Sequence, residues 1–298
     1  MQSSFYQEIN KNKRNSILLI SIFFALVIFL TYIIGVVFFR SSIFGVVIGV
    51  SFSILFTLIG YYSGDSIILN VSNAQPATKK EHPFLINTVE GLAIAAGLPV
   101  PKIYTMQDTA INAFATGRNP EHAIVCVTTG ALEKLNRTEL EGVIAHEMSH
   151  IKNFDIRFMM LVAILIGLVT LLSDFFIRSF FWSRGDRDEK QSNLIFLIVG
   201  LVLAILTPII AQMVKFAISR KREYLADASG AMLTRYPEGL ASALKKIQKD
   251  HDPQVEGANK ATAHLWISNP LRGSKQFFDG MFDSHPPLEQ RIKRLEEM

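Results

Sequence analysis

The chain has 298 residues, 49% of them apolar and 19% charged, with a single cysteine, Cys126, and a formal net charge of +4. So apolar a composition excludes a disordered chain. A lone cysteine excludes both an intramolecular disulfide framework and a cysteine-only zinc site, and it fits polar parts that face a reducing compartment. The positive balance requires no nucleic acid, because basic residues flanking membrane spans next to anionic lipid account for it.

Between Ser16 and Tyr62 the only charged residue is Arg40. It divides the stretch into residues 16–39 and 41–62, each long enough to cross about 30 Å of hydrocarbon as a helix. Two transmembrane helices joined by a short turn are expected. A cleaved signal peptide, suggested by Lys11, Lys13 and Arg14, fits less well, since the apolar run is too long and a second span follows at once.

Residues 65–157 form the first polar segment. Leu85, Val89, Leu92, Ala93 and Ala96 recur at helical spacing, and Gly97 with Pro99 and Pro101 ends that helix. Strands are expected at 102–106, 110–116 and 122–128, with Gly-Arg-Asn-Pro-Glu at 117–121 as the turn of a hairpin. Thr138-Glu139-Leu140-Glu141 has the form of a capping box, which predicts a helix start. After Gly142 no glycine or proline interrupts that helix before the next apolar stretch.

A further hydrophobic pair occupies residues 158–177, interrupted by Asp174, and 194–214, which carries no charge. A buried hairpin inside a soluble domain is the competing reading, because Asp174 and Arg178 near the turn are costly in lipid. Lysines and arginines before the first span and after the fourth place both ends in the cytoplasm, although the basic residues between the third and fourth are mixed with acidic ones. The organisation expected is an N-terminal segment at 1–64 with two spans, a first catalytic part at 65–157, a transmembrane hairpin at 158–214 and a second catalytic part at 215–298. The fold class is α+β, mostly helical with a small sheet, plus about four transmembrane helices.

The chemistry centres on His146-Glu147-Met148-Ser149-His150. Residues four apart share a helix face, so both imidazoles can reach one zinc ion while Glu147 can take a proton from zinc-bound water. Such a pattern arises by accident in roughly one chain of this composition in a hundred, so a third ligand is decisive. Glu223 and Asp227 again lie four apart. Glu223 closes the metal sphere in the favoured reading, with Asp227 accepting the other ring proton of a ligand histidine. His264 and His285 stay open as competing ligands. Taken alone, Glu223 and Asp227 read better as partners of Lys221 and Arg222 on a solvated helix.

These features together resemble the HtpX-type membrane zinc metalloproteases, relatives of the CaaX-prenyl proteases. The resemblance covers nearly the whole chain: two leading spans, Asn-Ala-Phe-Ala-Thr-Gly at 112–117, His-Glu-Met-Ser-His at 146–150, a second hydrophobic pair, Arg-Glu-Tyr-Leu-Ala-Asp at 222–227, Asn269-Pro270, and His-Pro-Pro at 285–287 ahead of Arg291. It implies a zincin-type domain with one zinc ion, His146, His150 and Glu223 as ligands and Glu147 as catalytic base. It also implies a multi-pass protein of the plasma (inner) membrane that cleaves misfolded or damaged membrane proteins on the cytoplasmic side under stress, with the lipid bilayer and membrane-protein substrates as partners. A strand containing Asn112, Ala113, Phe114 and Ala115 is a candidate edge for binding extended substrate. His285 and Arg291 are candidate donors to the developing oxyanion. The rival reading is a non-enzymatic membrane scaffold or receptor with a structural metal, which a two-histidine, one-glutamate set disfavours because structural zinc is closed by four protein ligands.

Overall fold

The computed structural model describes residues 5–39, 41–182, 220–252, 254–259, 261–271 and 286–298. The chain opens with two long helices, α1 (Phe5–Phe39) and α2 (Ser42–Val71), packed against each other. The side of α2 that is buried is built from Gly45, Gly49, Ser53, Gly60 and Gly64. Small residues at this spacing let backbones approach closely, which is how helices associate where lipid offers no hydrophobic driving force. The approach is tight: a Cβ at Gly64 would stand 3.0 Å from the Met160 sulfur, and one at Gly60 3.2 Å from Ile164. Both neighbours belong to α6 (Asp155–Trp182), the third long helix.

Among the described residues, α2 is the helix long and apolar enough to cross a membrane, with a mean hydropathy of 2.4 and 22% of its apolar stretch buried. The expected fourth span at 194–214 lies outside the described residues, so the count of four belongs with the topology proposed below.

The polar segments build a four-stranded sheet, with their own helices on one face and the long helices α2 and α6 on the other. Strands β1 (Gln75–Pro76), β2 (Lys102–Met106), β3 (Ala113–Gly117) and β4 (Ala123–Thr128) lie in the order β1-β2-β4-β3. β2 and β4 are parallel, and the outer pairs are antiparallel. Alternation along the strands sorts side chains between two cores. Ala113, Ala115, Val125 and Val127 face a large cluster with α3 (Pro83–Ala96), α5 (Arg137–Lys152), α7 (Arg220–Thr234), α8 (Pro237–Lys249) and α9 (Leu288–Glu296). Phe114, Cys126 and Met106 face a second cluster with Ile68 of α2, Met159 and Met160 of α6, and Trp266. Residues from both polar segments thus share one core.

Local structure departs from expectation at three points. β3 begins at Ala113 rather than Ala110, because side chains capture the preceding amides: Ala110 donates to Asp108 Oδ1 at 2.9 Å, Ile111 to Asp250 at 3.0 Å and Asn112 to Thr128 Oγ1 at 3.0 Å. The capping box of α5 is Asn136 with Glu139, two residues earlier than expected. Asn136 Oδ1 accepts from the Glu139 amide at 2.9 Å, and Glu139 Oε2 accepts from the Asn136 amide at 2.7 Å. Asparagine is as good a cap as threonine, and Ser242 and Lys246 hold the Glu139 carboxylate in place, each at 2.7 Å.

The third departure matters most. α5 does not run into the apolar helix; it ends at Lys152, Phe154 takes a left-handed φ of 59°, and α6 starts at Asp155. Left-handed backbone is costly for a bulky aromatic residue and persists only where its surroundings over-determine it.

Crossing helices in the soluble core also touch backbone to backbone. A Cβ on Gly142 of α5 would stand 2.6 Å from the Leu240 amide of α8, whereas one on Gly91 of α3 would meet nothing within 4 Å. Gly142→Ala should therefore destabilise the protein by about 1–3 kcal/mol through overpacking, while Gly91→Ala should be neutral or stabilising by up to about 1 kcal/mol. Thermal unfolding of both variants in the same detergent checks the contrast.

Candidate metal centre

The capping box starts α5 so that His146, Glu147 and His150 are buried under the sheet, at 1%, 1% and 4% exposure. α7 crosses α5 where Gly230 leaves room: a Cβ there would stand 3.0 Å from the His146 amide. That crossing brings Glu223 and Asp227, both buried, onto the histidine pair. His146, His150 and Glu223 each offer one ligand atom, and all three lie within 4.8 Å of one another. His146 Nε2 is 3.2 Å from His150 Nε2 and 3.8 Å from Glu223 Oε2, and His150 Nε2 is 3.6 Å from Glu223 Oε1. The edges of a tetrahedral site with bonds of about 2.0–2.1 Å are about 3.3 Å, so the separations suit one ion.

The far ring nitrogens explain why both Nε2 atoms point inward. His146 Nδ1 lies 2.9 Å from Asp227 Oδ1, and His150 Nδ1 lies 3.0 Å from Asp155 Oδ2. A carboxylate only accepts, so each Nδ1 carries the proton and each Nε2 presents a lone pair. With both Nδ1 atoms protonated, two Nε2 atoms 3.2 Å apart need a proton or a metal cation between them. The residues therefore fit a divalent metal.

In the bare site a proton on His150 takes the place between the two rings that a metal ion would occupy. Burial holds His146 down to about 4, with Arg291 adding to the effect against Asp227. Burial would lower His150 as well, but Asp155 and Glu223 carry it up to about 9. Glu147 is raised by burial, with Glu223 adding to the rise, to about 7. Both of its carboxylate oxygens are buried with no side chain bonded to them, and the Ala115 amide faces them, which leaves the carboxylate able to accept a proton beside the three ligand atoms.

Arg291, a candidate oxyanion donor in the sequence, is fully buried and clamps Asp227, with Nε to Oδ2 at 2.9 Å and Nη2 to Oδ1 at 2.7 Å, while Nη1 donates to the Ile267 carbonyl at 2.8 Å. It orients the carboxylate that orients His146. Burial would raise Asp227, but Arg291 and then His146 hold it below the ordinary carboxylate range. The other expected donor, His285, lies outside the described residues. His264 stands apart from the trio, with Nε2 against the Met159 carbonyl at 2.9 Å. Arg222 faces Asp155 at 3.8 Å, in place of the local pairing with Glu223 or Asp227 that a solvated helix would make.

The expected substrate edge is not exposed. Asn112, Ala113, Phe114 and Ala115 are all buried. Phe114 bridges antiparallel to Trp266, Ile267 donates to the Ala113 carbonyl at 2.9 Å, and the Asn112 amide group donates to the Ser268 carbonyl at 3.2 Å. The chain's own segment thus pairs with the first half of β3, and the rest of the strand, Ala115 to Gly117, is buried too, with the Ala115 amide facing Glu147.

Sequence reasoning missed Asp155. Five residues beyond His150 on a continuous helix, it would sit about 140° around the axis from that histidine. Only the break at Asn153 and Phe154 turns it back. The signal in the sequence is slight: an asparagine and an aspartate flanking Phe154, with no glycine or proline.

Comparison with known proteins agrees with the site. Residues 79–298 match Peptidase family M48. A protease HtpX homolog of Dictyoglomus turgidum is 48% identical over 295 residues, covering 99% of this chain and 95% of that protein. Homologs from Caldanaerobacter subterraneus and Listeria monocytogenes are 46% and 41% identical, covering 99% and 98% of this chain and 98% and 99% of theirs. The crystal structure of S. mikatae Ste24p shares 22% identity at a TM-score of 0.48, covering 90% of this chain and 61% of that one. With a family match across its whole polar portion and relatives alike from end to end, the chain belongs to Peptidase family M48 and is a membrane metalloprotease.

Proposed function

We propose that the chain is a zinc-dependent endopeptidase that cleaves misfolded or damaged membrane proteins as part of stress-linked quality control. In this reading it crosses the plasma membrane about four times, with residues 65–157 and 215–298 forming one cytoplasmic catalytic unit. The observation that carries it is the pair of inward-facing Nε2 atoms at 3.2 Å, each imidazole fixed from behind by a carboxylate, with the buried Glu147 beside them.

His146, His150 and Glu223 would hold the ion, leaving one tetrahedral position for water or substrate. Zinc so held supplies a Lewis acid for the scissile carbonyl and lowers the pKa of bound water to about 7. Glu147 accepts the proton of the attacking water and passes it to the departing amine. Its dry surroundings suit this, because burial has already brought its affinity for a proton near neutrality. An extended peptide would add to β3 at residues 115–117 and so present its carbonyl beside Glu147. A structural metal in a non-enzymatic scaffold needs four protein ligands, and the group found among the described residues has three.

Glu147→Gln should retain zinc and lose casein hydrolysis by about 10²–10⁴-fold, the effect of removing a general base. Wild-type rates in that variant would overturn the assignment. Glu223→Ala should lose the metal, and Asp155→Ala and Asp227→Ala should each weaken zinc affinity about 10–100-fold, read by competition with a chelator. Stoichiometric zinc in Glu223→Ala would show that the third ligand lies elsewhere. For the substrate class, cleavage sites mapped by mass spectrometry in a co-reconstituted membrane protein should cluster in cytoplasmic loops near its spans. Equal cleavage of an unfolded soluble chain, without that clustering, would refute the preference.

A further inference from the structure

The three long helices pack so that their apolar stretches share one boundary. Leu19 of α1 clusters with Phe158, Leu161, Val162 and Ile166 of α6, while Gly60 and Gly64 of α2 pack on Ile164 and Met160 of the same helix. Just beyond that apolar layer, on the side of the metal centre, three cations gather from separate parts of the chain. Lys13 Nζ lies 4.5 Å from the centre of the Phe154 ring, and the Arg157 guanidinium lies 5.2 Å from the centre of the same ring. Arg157 Nε donates to the Arg118 carbonyl at 3.0 Å, and the Arg118 guanidinium lies 5.3 Å from the ring of Tyr62 on α2.

Carboxylates near these cations are engaged elsewhere. Asp155 faces His150 and Arg222, and Asp65, one turn beyond Tyr62, accepts from the Ser66 amide at 2.8 Å. None of the three cations makes an ion pair with a carboxylate among the described residues. Lys13 and Arg157 share the Phe154 ring, Arg157 is tied to the backbone of Arg118, and with no carboxylate paired to them among the described residues these cations suit an anion such as a phospholipid phosphate.

We propose that Lys13, Arg118 and Arg157 bind the phosphate of an anionic phospholipid whose acyl chains run down the apolar faces of α1 and α2. Exposed Ile17, Leu18 and Ile22 of α1 and Leu55, Leu58 and Ile59 of α2 offer those chains a surface. The strained Phe154 is the shared element: its ring carries two of the headgroup cations, and the next residue, Asp155, orients His150. A bound headgroup therefore braces the same helix break that orients a metal ligand.

The inference rests on the membrane-spanning reading above, and the test separates the two. The zinc-loaded full chain is reconstituted in neutral phosphatidylcholine vesicles, where insertion resistant to alkaline extraction reports spanning whatever the headgroup charge. Bound lipids are then counted by native mass spectrometry from neutral detergent, with phosphatidylglycerol or phosphatidylcholine added. At least one phosphatidylglycerol should be retained in preference to phosphatidylcholine, and Lys13→Gln with Arg118→Gln should weaken it about 10–30-fold. Lys80→Gln with Lys102→Gln, which removes the same charge from exposed positions elsewhere, should change it less than about two-fold. If the double site variant fails to fold, Lys13→Glu alone carries the comparison. Equal losses in both double variants would reduce the effect to diffuse attraction and overturn the site. Equal retention of both lipids, or displacement by matched inorganic phosphate, would overturn it as well.

Discussion

Two imidazole Nε2 atoms held 3.2 Å apart and turned toward each other in a dry interior are the constraint on which the rest of the architecture depends. Each ring must be kept from turning away, and neither can be held by the metal alone while the ion is absent. The protein meets this with carboxylates behind both rings, and each carboxylate is itself anchored: Asp227 by the guanidinium of Arg291 and Asp155 by proximity to Arg222. Charge is thus layered outward from the ligand atoms, alternating in sign, until it reaches backbone carbonyls such as that of Ile267. A buried set of this kind is stable only when complete, since removing one partner strands its neighbour in a medium of low dielectric.

This requirement explains otherwise odd features of the chain path. α9 contributes little to the apolar core beyond Ile292 and Leu295, yet it delivers Arg291. The α5–α6 break leaves a bulky residue at positive φ, an arrangement that a continuous helix would have avoided. Strain at Phe154 is the local cost of bringing Asp155 within 3.0 Å of His150. The same break separates the helix that carries the histidine pair from the long apolar helix α6.

Much of this was legible before the structure. The periodicity of Leu85, Val89 and Leu92, with Gly97 behind them, marked α3, and the hairpin of β3 and β4 was recognisable from its turn residues. The histidine pair declared its chemistry because helical spacing alone puts both rings on one face. Glu223 was within reach for the same reason, once Asp227 stood four residues after it. What escaped notice depends on tertiary geometry. Arg291 looks like a surface arginine because nothing local tells that Asp227 lies above it, and Asp155 is hidden by assuming helix continuity where no glycine or proline forbids it. The pairing of residues 266–268 with β3 joins positions more than 150 apart, and no local pattern encodes it.

That last pairing makes the substrate groove a blind alley rather than a channel. Because segment 266–268 already lies antiparallel along the first half of β3, a peptide continuing the same ladder can occupy only the remainder of the strand. Such a short ladder offers a handful of backbone hydrogen bonds, each contributing about 0.5–1.5 kcal/mol net. The hold on an incoming chain is therefore weak and largely indifferent to side-chain identity. If substrate does add to β3 as proposed, discrimination passes from sequence to accessibility: such a site would cut what is already extended and let go quickly, which would suit many different damaged chains better than one.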